Sequence, residues 1–170
     1  TIDLIAGTAT GAGTDTLVGI ENIQLGSGDD VIKGNAYANS FIGGAGNDTL
    51  SYANSSNAVT INFTAGTASG DGADTFSEIE NFIGTSKADT FIKNGVTADT
   101  VFATYDAGSQ VNGTYDTADY STTTQNITVN VNGATLTLTD NATSNADVLS
   151  NVEILITGSG NDTYVLNDIT

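Results

Sequence analysis

Bulky apolar residues stand singly along much of this chain, each set between small polar ones, and from Glu21 to Leu50 they keep a strict interval. Ile23, Ile32, Phe41 and Leu50 follow one another at nine residues, and each stands two residues after Glu21, Asp30, Asn39 or Asp48. These four are read as the inward positions of short strands. Elsewhere the pattern changes to alternation: Val59, Ile61 and Phe63, then Ile127, Val129 and Val131, then "ATLTLT" from Ala134, all rich in β-branched residues. Period-two alternation of that kind predicts strands half buried on one face. Nothing along the chain reads as a helix.

A longer repeat overlies the short one. "TIDLIAGTATGAGTDTLVGIEN" from Thr1 aligns without a gap, 59 residues on, with "TINFTAGTASGDGADTFSEIEN" from Thr60. Within it Asp15 is followed by Glu21 after six residues and Asp30 after nine more; Asp74, Glu80 and Asp89 repeat those intervals, as do Asp147, Glu153 and Asp162. The apolar positions are kept: Leu17, Phe76 and Leu149 correspond, and so do Ile32, Phe91 and Tyr164. A connecting unit repeats as well, "DTLSYANSSNAVTINF" from Asp48 matching "DTADYSTTTQNITVNV" from Asp116, with Tyr52 against Tyr120. The organisation expected is a first repeat block at 1–51, a second at 52–95, an insertion or distorted coil at 96–119 and a third block at 120–170, the whole being a segment or processed form of a longer protein.

The stretch "GGAGNDTLS" from Gly43 packs three glycines, an Asn and an Asp into six residues before Leu50. An isolated Asp in such a turn ordinarily bonds its own backbone. Here the turn recurs in register, and the pattern G-G-x-G-x-D-x-U-x, with U apolar, resembles the haemolysin-type (RTX) calcium-binding nonapeptide repeat, as found in secreted adhesins, surface-layer proteins and toxins. The resemblance implies an all-β fold: a right-handed parallel β-roll or β-solenoid with calcium-binding glycine-rich turns and, in this chain, longer linking strands. One rung forms about every 18 residues where the register holds, and each rung buries its apolar residue only against a neighbour. It also implies Ca²⁺ held between turns stacked on one edge, two nonapeptides apart, by Asp side chains and turn carbonyls. Calcium takes six to eight oxygen ligands, and glycine allows the backbone to turn carbonyls inward.

On that basis Gly26, Gly28 and Asp30 pair with Gly43, Gly44, Gly46 and Asp48, because Asp30 and Asp48 are 18 residues apart. Glu21 and Asn39 keep the same spacing on the other edge but lack the glycines. Asp15, Asp74 and Asp162 end turns that keep G-x-G-x-D without the first glycine and are further candidate ligands. "GTSKAD" ending at Asp89 puts Lys87 at a glycine position, which argues against a complete site there. The six tyrosines are read as rung caps or strand packing rather than a carbohydrate surface.

Composition sharpens this picture. Of 170 residues 38% are hydrophobic and 14% charged, so the core must be thin. Twenty acids stand against three bases, Lys33, Lys87 and Lys93, for a net charge of −17, which suits a cation and excludes a nucleic acid or membrane insertion. Two carboxylates about 4 Å apart repel by roughly 1 kcal/mol in water and about 4 kcal/mol at an effective dielectric near 20, a cost that bound Ca²⁺ reverses. With neither Cys nor His, disulfides, thiolate or zinc sites and His-dependent catalytic constellations are unavailable.

The function expected is therefore not enzymatic. It is a calcium-binding structural module of a secreted or cell-surface bacterial protein, such as an adhesin, surface layer or extracellular matrix fibre, that folds and assembles with Ca²⁺. Its partners are calcium ions and either copies of itself or further repeats. The alternative is an accessory repeat region of a secreted enzyme or toxin, which long uninterrupted nonapeptide tandems would favour; here linking strands interrupt them.

Overall fold

The computed structural model describes residues 1–93, 103–109 and 113–167. Among these residues there are strands and no helix, and most strands are three residues long. The chain opens on β1 (Ile2–Asp3), β2 (Thr8–Thr10) and β3 (Thr14–Thr16), followed by β4 (Asn22–Gln24), β5 (Val31–Lys33), β6 (Ser40–Ile42) and β7 (Thr49–Ser51). Next come β8 (Thr60–Asn62), β9 (Thr67–Ser69) and β10 (Ala73–Ser77), then β11 (Asn81–Ile83), β12 (Thr90–Ile92), β13 (Thr104–Asp106) and β14 (Thr117–Asp119). The last group is β15 (Ile127–Asn132), β16 (Thr135–Asp140), β17 (Ala146–Ser150), β18 (Ile154–Ile156) and β19 (Thr163–Asn167).

The strands form an 11-stranded sheet, which ends in β3 and β19, and an 8-stranded sheet, which ends in β4 and β18. From β4 to β7, β11 to β14 and β17 to β19, consecutive strands alternate between the two sheets, as in a β-roll. Their neighbours within a sheet are parallel, except that β17 is antiparallel to β16 on one side. In the larger sheet Ile2, Ile32, Leu50, Phe82, Tyr105 and Leu149 are successive Cα partners, so one inward side chain per strand builds a continuous column. Ile23, Ile32, Phe41 and Leu50, the inward positions of the nonapeptide pattern, are all buried.

The unit repeated 59 residues on and its third copy are antiparallel meanders. β1–β2–β3, β8–β9–β10 and β15–β16–β17 each pair in sequence order, and the first strand of each also pairs in parallel with a later strand: β5, β12 or β19. The linking strands thus lie within the sheets rather than beside them, which makes the sheets mixed. Period-two alternation marked these strands, but it carries no information on their direction. Of the segment 96–119, β13 and β14 take ordinary parallel places between β11 and β17 and between β12 and β18; residues 96–102 and 110–112 lie outside the described residues.

Aromatic side chains thicken the core at mid-stack. Phe91 stacks on Tyr105 with ring centroids 4.8 Å apart, and Phe76 meets Phe82 at 4.9 Å. Each ring buried in full stabilises the fold by about 1.5–3 kcal/mol.

A second, polar series ties the strands together. The residue just before a strand, or in β15 its first residue, donates its N–H to a carboxylate on the neighbouring strand later in the chain. Asp30 donates to Asp48 (2.8 Å) and Asp48 to Glu80 (2.8 Å) along one edge. Val59 donates to Asp89 (2.8 Å), Asp89 to Asp116 (2.6 Å) and Asp116 to Glu153 (2.8 Å) along the other. Asn39 to Asp74 (2.8 Å), Ala103 to Asp147 (3.2 Å) and Ile127 to Asp162 (3.0 Å) follow the same rule. The paired tyrosines of the connecting unit complete two of these acceptors: the Tyr52 hydroxyl donates to Asp74 (2.7 Å) and the Tyr120 hydroxyl to Asp147 (3.0 Å). Asp147 also holds the buried Lys93 ammonium at 2.7 Å, which sits 4.7 Å over the Phe63 ring.

Two predictions follow from these buried bonds. Tyr120→Phe leaves an Asp147 oxygen one donor short and is expected to lower the urea-unfolding free energy by about 1–3 kcal/mol, with Tyr52→Phe behaving alike; a change near zero in both would show that the hydroxyls contribute nothing. The second concerns pH. Burial raises the Asp89 and Asp74 carboxyls above the ordinary value of 3.8, outweighing the bonds that pull them down. The native state therefore binds more protons than the unfolded state just above 3.8, and stability rises as pH falls through that window. Asp3, held low first by the Ala6 N–H, works the other way only below 3.8. The melting temperature at saturating calcium should increase from about pH 7 to about pH 5, and less steeply in Asp89→Asn; a steady decrease would contradict the sign.

Candidate metal centre at the stacked glycine turns

The turn at residues 26–30 joins β4 to β5 and the turn at residues 43–48 joins β6 to β7; because β5 and β7 pair with Val31 opposite Thr49, the two turns lie one on the other. Ser27 and Ala45 form a parallel bridge, the Gly28 N–H donates to the Ala45 carbonyl (2.7 Å), and the Ala45 N–H donates to the Gly26 carbonyl (2.9 Å). Glycine is required for this contact. Gly44 has φ +99° and Gly46 φ +144°, and a Cβ on Gly46 would come within 2.5 Å of the Gly28 carbonyl oxygen. On its other side the second turn meets residue 78: a Cβ on Gly43 would collide with the Glu78 carbonyl oxygen and lie 2.6 Å from Asp48 Oδ2.

Asp48 is wholly buried at this point. Its Oδ1 accepts the Asp30 N–H, whereas Oδ2 has no hydrogen-bond partner. A buried carboxylate oxygen without a donor is costly unless a cation meets it. The groups around it are carboxylate and carbonyl oxygens, the hard donors that calcium takes. The residues present therefore fit Ca²⁺. Among the described residues no three carboxylates converge on one point, so such an ion would rely on turn carbonyls alongside Asp48. Asp30 is half exposed, with its carboxylate 4.0 Å from the Thr1 amino group.

The other candidate ligands are scattered. Asp15 is exposed in β3, opposite Ala9, and does not stack over Asp30; the parallel neighbour of Ile32 on that side is Ile2. Asp74 is buried with both oxygens engaged, by the Asn39 N–H and the Tyr52 hydroxyl, and burial raises its carboxyl. Asp162 accepts the Ile127 N–H, and Gly158 and Gly160 of its turn press on the Thr123 and Gln125 carbonyls much as Gly44 and Gly46 press on Gly26 and Gly28. Glu21 and Asn39 flank the paired strands β4 and β6, with the Ser40 N–H donating to the Glu21 carbonyl (2.7 Å) and the Asn39 amide buried without a partner.

Asp89 is supplied by protein donors instead: the Thr85 N–H (2.5 Å), the Thr85 hydroxyl (3.0 Å to either oxygen) and the Val59 N–H. Lys87 makes no ion pair among the described residues, so the donor that takes the place of a cation is Thr85. Sequence reasoning missed Thr85, Glu80 and Glu153. The repeated intervals of six and nine pointed to the two glutamates, since each takes a ladder position.

No curated protein matches the chain. Residues 25–57, which carry both stacked turns and Asp48, match the family model of the RTX calcium-binding nonapeptide repeat (4 copies). RTX nonapeptide repeats bind Ca²⁺, and it is to them that segment 25–57 of this chain is similar.

Proposed function

We propose that the chain is a calcium-dependent structural module of a secreted or cell-surface bacterial protein, of the adhesin, surface-layer or matrix-fibre kind, in which ion binding at the 26–30 and 43–48 turns drives folding. The observation that carries this reading is the buried, unpartnered Oδ2 of Asp48 at the glycine contact between the turns. Bound calcium supplies the positive charge that this oxygen lacks. The protein's own part is to hold Asp48 by its Oδ1 bond to Asp30 N–H, to hold Asp30 beside it, and to aim carbonyls through Gly26, Gly28, Gly43, Gly44 and Gly46. We read Asp162 as a lesser site of similar build, with Asp15 and Asp74 outside the ligand set. We read the stack as a right-handed solenoid, the hand that connections between parallel strands of one sheet adopt in about 98% of cases. The repeat blocks at 1–51, 52–95 and 120–170 are its stacking units.

Coupling follows from electrostatics. At a net charge of −17 the chain repels itself where calcium is scarce, and at roughly millimolar calcium even sites with Kd of about 10⁻⁴ to 10⁻³ M fill, so that binding free energy becomes folding free energy. RTX repeats are typical of secreted bacterial proteins, which meet such calcium outside the cell.

Circular dichroism of chelated protein titrated with calcium, with magnesium as control, tests the switch; a β spectrum indifferent to calcium would remove it. Asp48→Ala and Asp30→Ala are expected to raise the calcium midpoint about tenfold or more, equivalent to about 1.4 kcal/mol. Asp89→Asn should lower stability equally with and without calcium and leave the midpoint in place. Equal midpoint shifts in all three would overturn the assignment of the ion to these turns.

A further inference from the structure

A chain without cysteine has no disulfide to tie its strands covalently, yet one of its buried contacts brings together the two groups of another covalent tie. Lys93 follows β12 of the smaller sheet, Asp147 is the second residue of β17 in the larger sheet, and the Lys93 Nζ lies 2.7 Å from Asp147 Oδ1. We propose that these two side chains condense to an amide between Lys93 Nζ and Asp147 Cγ, an internal cross-link that joins the two sheets across 54 residues of chain. The step is separate from calcium binding and involves no metal ligand.

Both side chains are buried. The ammonium sits 4.7 Å over the Phe63 ring; Phe63 packs on Phe91 with centroids 6.3 Å apart, and Phe91 on Tyr120 at 6.5 Å, so aromatic carbon takes the place of water beside the pair. The backbone fixes both partners as well. The Lys93 N–H donates to the Asp119 carbonyl (3.0 Å), and Asp147 stands opposite Leu138 in the antiparallel pair of β16 and β17. Reacting groups held in contact in this way gain effective molarities of about 10⁵ to 10⁸ M.

Two more donors meet the carboxylate: the Ala103 N–H on Oδ1 (3.2 Å) and the Tyr120 hydroxyl on Oδ2 (3.0 Å). Burial first, and then the charge of Asp147, push the Tyr120 hydroxyl well above its ordinary value of 10.0, so it stays a donor. In the step itself a proton crosses from Nζ to Oδ1, leaving an amine and a carboxylic acid. The amine lone pair then attacks Cγ, and the charge that gathers on Oδ2 is met by the Tyr120 hydroxyl, as in an oxyanion hole. A second proton passes from Nζ to Oδ1, the bond from Cγ to Oδ1 breaks, and water leaves. Nζ keeps one hydrogen, and Oδ2 becomes the amide oxygen, still accepting from Tyr120. Nothing is oxidised or reduced, and no co-reactant is consumed. The amide is uncharged, so condensation relieves the desolvation cost of a buried ion pair, and the scarcity of water opposes hydrolysis.

The chain carries its own control. Lys33 and Asp3 form an ion pair at 3.0 Å, but their side chains are 38% and 17% exposed, and the further donors to Asp3 are the Ile5 and Ala6 N–H groups, with no hydroxyl at the carboxylate. Water reaches that pair, and it remains an ion pair.

Intact-mass measurement and peptide mapping of calcium-folded protein, with circular dichroism recorded alongside, test the cross-link. The folded chain incubated near neutral pH should lose the mass of one water. After denaturation trypsin should cut at Lys33 and Lys87 but not at Lys93, and chymotrypsin, which cuts at tyrosines between the two residues, should leave the Lys93 and Asp147 peptides joined. Lys93→Arg keeps the charge and should retain its full mass, and folded Tyr120→Phe should lose water at least tenfold more slowly. Folded protein that keeps its full mass overturns the proposal and leaves the calcium reading standing. Loss of water with Lys93 still open to trypsin, as a succinimide at Asp71 and Gly72 would give, overturns it as well. Condensation of Tyr120→Phe at the unaltered rate overturns the role of the hydroxyl.

Discussion

A backbone N–H donated to a carboxylate on the next strand is the bond on which this stack depends. Strands of three residues offer few ladder hydrogen bonds and one inward side chain each, too little to fix the position of one strand on another. The carboxylate bonds add a fixed point at the residue where each strand begins: Asp30 on Asp48, Asp48 on Glu80, Asp89 on Asp116, Asp116 on Glu153. A slip of one residue would break these together with the apolar column, since it would turn every inward side chain to the opposite face.

That device concentrates negative charge where solvent is scarce, and the chain answers in more than one way. Asp89 is neutralised in effect by Thr85, Asp74 by Tyr52, and Asp147 by Tyr120 with Lys93. Each uses a side chain the sequence places for the purpose. Asp48 has no such companion for its second oxygen, and it is also the Asp with the full set of glycines before it. Glycine there lets the two turn backbones come into contact where a side chain would collide. The glycine pair of G-x-G-x-D is absent before Asp89 and Asp147, whereas Asp74 keeps it and receives a side-chain donor as well.

Much of the architecture was legible from spacing. The nine-residue interval gave the inward ladder from Ile23 to Leu50 and the stacking of Asp30 on Asp48, and the 6 and 9 intervals located the three repeated units. Strand direction was not legible. β9 and β16 are antiparallel because short turns return the chain beside its own preceding strand, and alternation looks the same either way. Nor could spacing tell an Asp with a side-chain donor from an Asp without one. Asp74 and Asp48 end similar turns, and only the position of Tyr52, 22 residues before Asp74, separates their roles.

The buried pair of Lys93 and Asp147 bridges 54 residues of chain, and this has a mechanical consequence. Between neighbouring parallel strands the hydrogen bonds run along the stacking direction, so tension applied through the chain ends loads them one rung at a time and peels the stack like a zipper. Peeling from the tail reaches Asp147 after only β19 and β18 are lost, and there it meets an ion pair in a low-dielectric surround together with the Tyr120 hydroxyl. The outer rungs yield at low force as a compliant fringe, while the aromatic middle, clamped by Lys93, resists as one block.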